Sequence, residues 1–277
     1  GGRICILLLV VVAALIGNGL IAITKFGAAA YTKSSAMLSE AIHSVVDTAN
    51  QALILFGIRQ SKKPADEDHP FGYGMELYFW TFVVAILIFA VGAGVAVYEG
   101  AEKIRYPHPV GNAFINYIVL GAAMVFEAVA WWLAFKEFEK RRGQKSYISA
   151  VRESKDPALF TVLFEDTAAM LGLIIAFAGI GLGQALEMPV LDGVASVLIG
   201  IILAVVAAVL AYECKGLLVG EAANKPVIRG IRTIVQSRPG VKALNELLTM
   251  HLGPDDILVN LSVDFEDGIS SEAVEAA

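Results

Sequence analysis

The sequence is short of the residues on which soluble chemistry usually rests. Only 2 of its 277 residues are cysteine, Cys5 and Cys214, and they form no CxxC pair. Neither a disulfide framework nor a thiolate zinc site can be read from them, and two ordinary thiols are the better reading. Charge is also scarce: 17% of residues are Asp, Glu, Lys or Arg, against about 25% in globular domains. The formal net charge of −6 excludes the basic stripe of a nucleic-acid binder. No HExxH and no nucleophile elbow occurs, which argues against an intramembrane hydrolase and leaves no sign of an enzyme. The Gly1-Gly2 start has neither Met nor a charged n-region, so a signal peptide is not expected there; the sequence is expected to begin inside a longer chain or after a tag.

Apolar residues fill the space that charge leaves. They make up 57% of the chain, against about 45–50% in globular domains, which places it among polytopic membrane proteins. Six stretches approach the ~20 residues that cross a bilayer, at about 4–27, 36–58, 76–99, 113–135, 158–182 and 190–212. Lys and Arg concentrate on one side of them: Arg3, Arg59, Lys62, Lys63, Lys136, Lys140, Arg141, Arg142, Lys145, Arg152, Lys155 and Lys215. The other side holds Lys33, Lys103 and Arg105. The rich side is expected to be cytoplasmic, with both termini on it.

The expected architecture is an all-α membrane domain of six transmembrane helices over 1–215 and a small α+β cytoplasmic domain over 216–277. In the second, Asn224-Lys225-Pro226 predicts a helix start, with Asn as the cap and Pro in the first turn. Arg238-Pro239-Gly240 ends that helix. Val241 to Leu252 reads as a strand, and the alternation of Ile257, Val259, Leu261, Val263 and Phe265 reads as a half-buried one. Ser270-Ser271-Glu272 opens a further helix. So small a sheet is expected to be incomplete and to need a further strand or a partner.

Within the apolar stretches a few ionisable residues stand out, and at such depth they mark ion or proton pathways. In the second span His43 and Asp47 lie four residues apart on one helix face, with Glu40, a candidate proton relay, a turn before them. Imidazole nitrogen with carboxylate oxygen suits zinc and other first-row divalent cations. The alternative is a polar helix contact with His43 bonded to a backbone carbonyl. In the fifth span Glu165 and Asp166 sit ~14 Å in from the helix start at Asp156-Pro157, at 1.5 Å per residue. Adjacent positions point about 100° apart, so one is expected to be a ligand and the other a supporting or proton-carrying group. Glu127 in the fourth span is either a proton relay or a partner of Lys25. Asn18 reads as a helix–helix hydrogen bond, and Asp192 as an acid offsetting the dipole of its own helix. The loop from Pro64 to Gly74 carries Asp66 and His69, either a metal-capture site or a solvated acidic loop.

Three segments taken together, SSAMLSEAIHSVVDT, KKPADEDHPFGYG and LFEDTA, resemble the cation diffusion facilitator family in its zinc transporter nine-like branch. The resemblance implies a homodimeric antiporter of divalent metal and protons with a ferredoxin-like cytoplasmic domain. It implies metal ligands at His43, Asp47 and Asp166. Where the family has a His or Asp four residues before the last of these, this chain has Val162, so Glu165 or a water completes the tetrahedron. Asp66 and His69 match a second, loop metal site whose next His is Tyr73 here. The cytoplasmic domain holds His251 as its only histidine, which does not match the family's metal cluster there.

The expected function is proton-coupled export of a divalent metal cation, Zn2+ before Mn2+, Fe2+ or Co2+, with H+ as the coupling ion. The expected setting is a bacterial inner membrane or an organelle membrane, with the bilayer and a second copy as partners. The alternatives are a manganese or iron exporter of the same fold, and a membrane metal sensor that moves nothing.

Overall fold

The computed structural model of the protein describes residues 18–144, 146–147, 150–151 and 157–276. Cys5, Arg3, Lys145, Arg152, Lys155 and the start of the first expected span lie outside them.

Helix α1 covers 18–32, within and just beyond the expected first span. Five longer helices follow in order: α2 (Ser35–Ser61), α3 (Glu76–Arg105), α4 (Ala113–Arg142), α5 (Pro157–Ala185) and α6 (Val190–Val219). All five are long and apolar enough to cross a membrane, with mean hydropathy from 1.2 to 3.0 over their most apolar windows. The protein is an integral, multi-pass membrane protein.

Local chemistry sets the ends. Ser34 caps α2, its hydroxyl accepting from the Met37 amide at 3.1 Å. Tyr106-Pro107 stops α3. Gly220, at φ 107°, supplies the left-handed residue that closes α6. Within α3 the backbone widens into a π-helical turn over Ile88–Ala93, which the apolar run of the sequence did not signal.

The core lies among α2, α3, α5 and α6, around Met37, Val84, Ile88, Leu173, Ile180, Ile199 and Leu203. Helices α3 and α6 cross where glycine permits it: a Cβ on Gly100 would lie 2.6 Å from the Gly193 carbonyl oxygen. Against that crossing Ser39 and Ser196 share a hydrogen bond of 2.6 Å, joining α2 to α6.

Beyond α6 come helix α7 (Lys225–Gln236), strands β1 (Val241–His251) and β2 (Ile257–Phe265), and helix α8 (Ser271–Ala276). The strands form a two-stranded antiparallel sheet in which Leu247 faces Leu261 and Thr249 faces Val259. Two expectations change here. Asn224 occupies the cap position of α7 without making the side-chain capping bond. Pro226 has no N–H and so removes one of the two amides that such a cap uses. The alternation in β2 gives a half-buried apolar row only towards its ends: Ile257, Val263 and Phe265 are half-buried, whereas Val259 is 38% exposed and Leu261 40%.

Candidate metal-transport site

The face of α2 that points into the bundle repeats polar residues at steps of three, four and three: Glu40, His43, Asp47 and Asn50. Glu40, His43 and Asn50 are buried. His43 Nε2 stands 3.1 Å from Asp47 Oδ2. Asn50 Nδ2 donates to Glu165 Oε1 of α5 at 2.7 Å. Each of the four also has a buried atom with no protein partner: Glu40 Oε1, His43 Nδ1, Asp47 Oδ1 and Asn50 Oδ1. Orphaned polar atoms in a row mark a place built for something other than packing.

At Asp47 that row reaches a small cavity among α1, α2, α4 and α5, lined by Asn18, Ile21, Ser44, Asp47, Gln51, Glu127, Glu165 and Asp166. About 10 Å³ of it is open to the centre of a water-sized sphere, enough for about one water or ion. Four carboxylates from three helices thus share one void. Asp47 and Asp166, expected to share one ion, both line it. Glu165 and Asp166, although adjacent in sequence, line it as well, and Glu165 is tied to α2 through Asn50. His43 is not in the lining and adjoins it through Asp47. Among the described residues no three His, Cys, Asp or Glu side chains are drawn into a metal-holding cluster. Binding a metal here therefore requires these side chains to close in, with His43 Nδ1 free of protein partners while Nε2 faces Asp47.

Other expected residues find different partners. Lys25 pairs with Glu40, Nζ to Oε2 at 3.1 Å, and not with Glu127. Glu40 is thereby engaged as an ion-pair partner, whereas Glu127 keeps its place on the cavity wall. Asn18 makes the expected helix–helix bond, donating to Gln51 at 3.0 Å. Asp192 does more than offset the dipole of α6. It is 1% exposed, accepts from the Ser34 hydroxyl at 2.6 Å and the Ser35 amide at 2.8 Å, and lies 3.6 Å from Lys103 Nζ. The free amides at the start of α2 make a natural seat for a carboxylate, and α6 supplies it.

In the loop, Asp66 and His69 lie at the surface, away from the cavity. Asp66 is fully engaged: Oδ1 accepts from the His69 amide at 2.7 Å and Oδ2 from the Tyr73 hydroxyl at 2.7 Å. The Tyr73 bond, followed by the His69 amide, holds the Asp66 carboxyl below the usual carboxylate range. The rings of His69 and Tyr73 lie 4.2 Å apart, so Tyr73 closes the loop where the family's next histidine would stand.

Asn50 and Gln51 are site residues that the sequence reading missed. The signal for Asn50 was present: it extends the polar step of Glu40, His43 and Asp47 by one more turn.

A family model described as the cation efflux transmembrane domain matches residues 11–219. The chain belongs to the cation efflux family. Among similar members is the proton-coupled zinc antiporter SLC30A9, mitochondrial, of Mus musculus, 34% identical over 93% of this chain and 46% of that protein. The same-named protein of Homo sapiens is 33% identical over the same shares. Metal tolerance protein C4 of Arabidopsis thaliana is 28% identical over 90% of this chain and 55% of its own length. This cation efflux chain spans about half the length of these relatives.

Proposed function

We propose that the protein is a transporter, not an enzyme, which exchanges a divalent cation, Zn2+ first, for H+ across its membrane by alternating access. The observation that carries this reading is the shared cavity of Asp47, Glu127, Glu165 and Asp166, with His43 against Asp47. His43, Asp47 and Asp166 are the ligands, with Glu165 or a water as the fourth. Glu127 passes protons to the cavity, while Glu40 serves as the partner of Lys25. The relatives named as proton-coupled zinc antiporters support both the ion and the coupling.

The chemistry is a competition. Zinc needs a neutral imidazole and ionised carboxylates, so loading it expels protons, and protons arriving from the other side expel zinc. Rocking of helices about the buried site exposes it to each side in turn. In this reading 1–215 is a six-span transport domain and 216–277 the start of a ferredoxin-like cytoplasmic domain. Both termini face the cytoplasm or matrix, in an organelle or bacterial inner membrane, and two copies form the working dimer. Zinc precedes Mn2+, Fe2+ and Co2+ because one ligand is an imidazole.

Zinc flux into vesicles containing the purified protein tests this. An imposed pH gradient accelerates uptake if the reading is right. Flux indifferent to the gradient removes the coupling, and binding without flux leaves only a sensor.

A further inference from the structure

Lys25 is a lysine with 1% of its surface exposed, set on α1 inside the helix bundle. Such an ammonium is tolerated only when it is paired and hydrogen-bonded. Its Nζ donates to Glu40 Oε2 at 3.1 Å and to Ser44 Oγ at 2.8 Å. Glu40 has no exposed surface at all. Its second oxygen, Oε1, lacks a partner and lies over Gly172 of α5, where any Cβ would collide with it. Three helices close on one carboxylate: α2 bears it, α1 brings the cation, and α5 leaves the gap. Ser44, the other partner of Lys25, lines the cavity beside Asp47. Glu40 stands three residues before His43 on the same face of α2.

We propose that Lys25 is a positioning residue that sets metal specificity: its tethered ammonium holds Glu40 out of the ligand set and so keeps the imidazole of His43 in it. The inference rests on the cavity being the transport site. Without the ammonium, a carboxylate one turn before His43 is released; Glu40 does not itself line the void, but Ser44, which holds the same ammonium, does. A site built from carboxylates alone suits manganese, whereas one that includes an imidazole suits zinc. The pair therefore sets the balance of nitrogen and oxygen donors without touching the ion.

The test uses the full chain in vesicles, with zinc and manganese flux measured separately. The wild type, Lys25→Arg, Lys25→Met, Lys25→Gln and the double variant Lys25→Met with Glu40→Gln are compared. The zinc-to-manganese ratio is expected to fall roughly 10–100-fold in Lys25→Met, the range seen when a group supporting a metal ligand is lost. Lys25→Gln, which keeps a donor for Glu40 and Ser44 but no charge, shifts the ratio the same way and serves if the Met variant does not fold. Lys25→Arg keeps the wild-type ratio. The double variant returns to it, because no spare carboxylate remains. A purely structural role lowers both fluxes alike and gains nothing from Glu40→Gln, so an unchanged ratio, or a double variant no better than Lys25→Met, overturns the proposal. Wild-type vesicles that move no zinc overturn the transport reading and this inference with it. Zinc flux that Asp47→Ala abolishes, beside an unchanged ratio in Lys25→Met, overturns this inference alone.

Discussion

Asn50 of α2 donates a 2.7 Å hydrogen bond to Glu165 of α5, and that bond ties together the two helices whose acids share the cavity. It holds one oxygen of a buried carboxylate while Glu165 still lines the void. The two helices are thus fastened beside the cavity proposed for the ion.

Replacing Asn50 by Leu removes the donor and leaves the Glu165 carboxylate without it. An unsatisfied buried polar group costs about 1–3 kcal/mol. The variant is expected to unfold at lower temperature in detergent and to bind zinc more weakly by calorimetry. Unaltered zinc affinity would detach Glu165 from the site.

Asp192→Ala is expected to destabilise the protein more. It removes the carboxylate paired with the buried Lys103, leaving that ammonium only the Lys33 carbonyl and His108 Nδ1, and it also strips the acceptor from Ser34 and the Ser35 amide. Breaking a buried ion pair by removing one partner costs about 3–5 kcal/mol. Thermal unfolding of the purified protein measures the loss, and a midpoint within error of the wild type would contradict the cap described here.

The loop offers a pH test outside the membrane. Because the Asp66 carboxyl is held below its unfolded value by Tyr73 and the His69 amide, the loop's closed form is fully supported above the unfolded pKa, about 3.9. That support is lost as pH falls through the lower, folded value. Tyr73→Phe removes the largest cause, so Asp66 is expected to titrate higher than in the wild type. Carboxyl-carbon NMR of protein labelled at Asp reads the shift; a titration no different from wild type would show that the Tyr73 hydroxyl does not hold this carboxylate.

Tyr73 bonds Asp66 and lies against the His69 ring, and is expected to keep the loop from binding metal. Tyr73→His places an imidazole beside Asp66 and His69, a ligand set suited to zinc. On an Asp47→Ala background, calorimetry is expected to find a zinc site on the Tyr73→His protein that the parent lacks. Equal binding by both would leave Tyr73 without that role.

Much of this was legible before any coordinates. Five spans were visible because bilayer thickness demands long apolar runs, and the face of His43 and Asp47 because helical period is fixed. The partner of Lys25 was not: the sequence offered Glu127, and only the packed rotation of the helices brings Glu40 to it. Asp192 misled for a similar reason: its own helix start explained it, and only packing brought the start of α2 alongside. Val259 and Leu261 show the opposite limit, an alternation written for burial that leaves the middle of β2 exposed while Ile257, Val263 and Phe265 are half-buried.

Anomalous scattering at the zinc edge, from a structure of the zinc-loaded protein, tests the shared site most directly. The expected result is a peak within about 2.0–2.2 Å of His43 nitrogen and of oxygens from Asp47 and Asp166, at the cavity between α2 and α5. A zinc peak at full occupancy elsewhere, with His43 still bonded to Asp47 and the cavity empty, would contradict it.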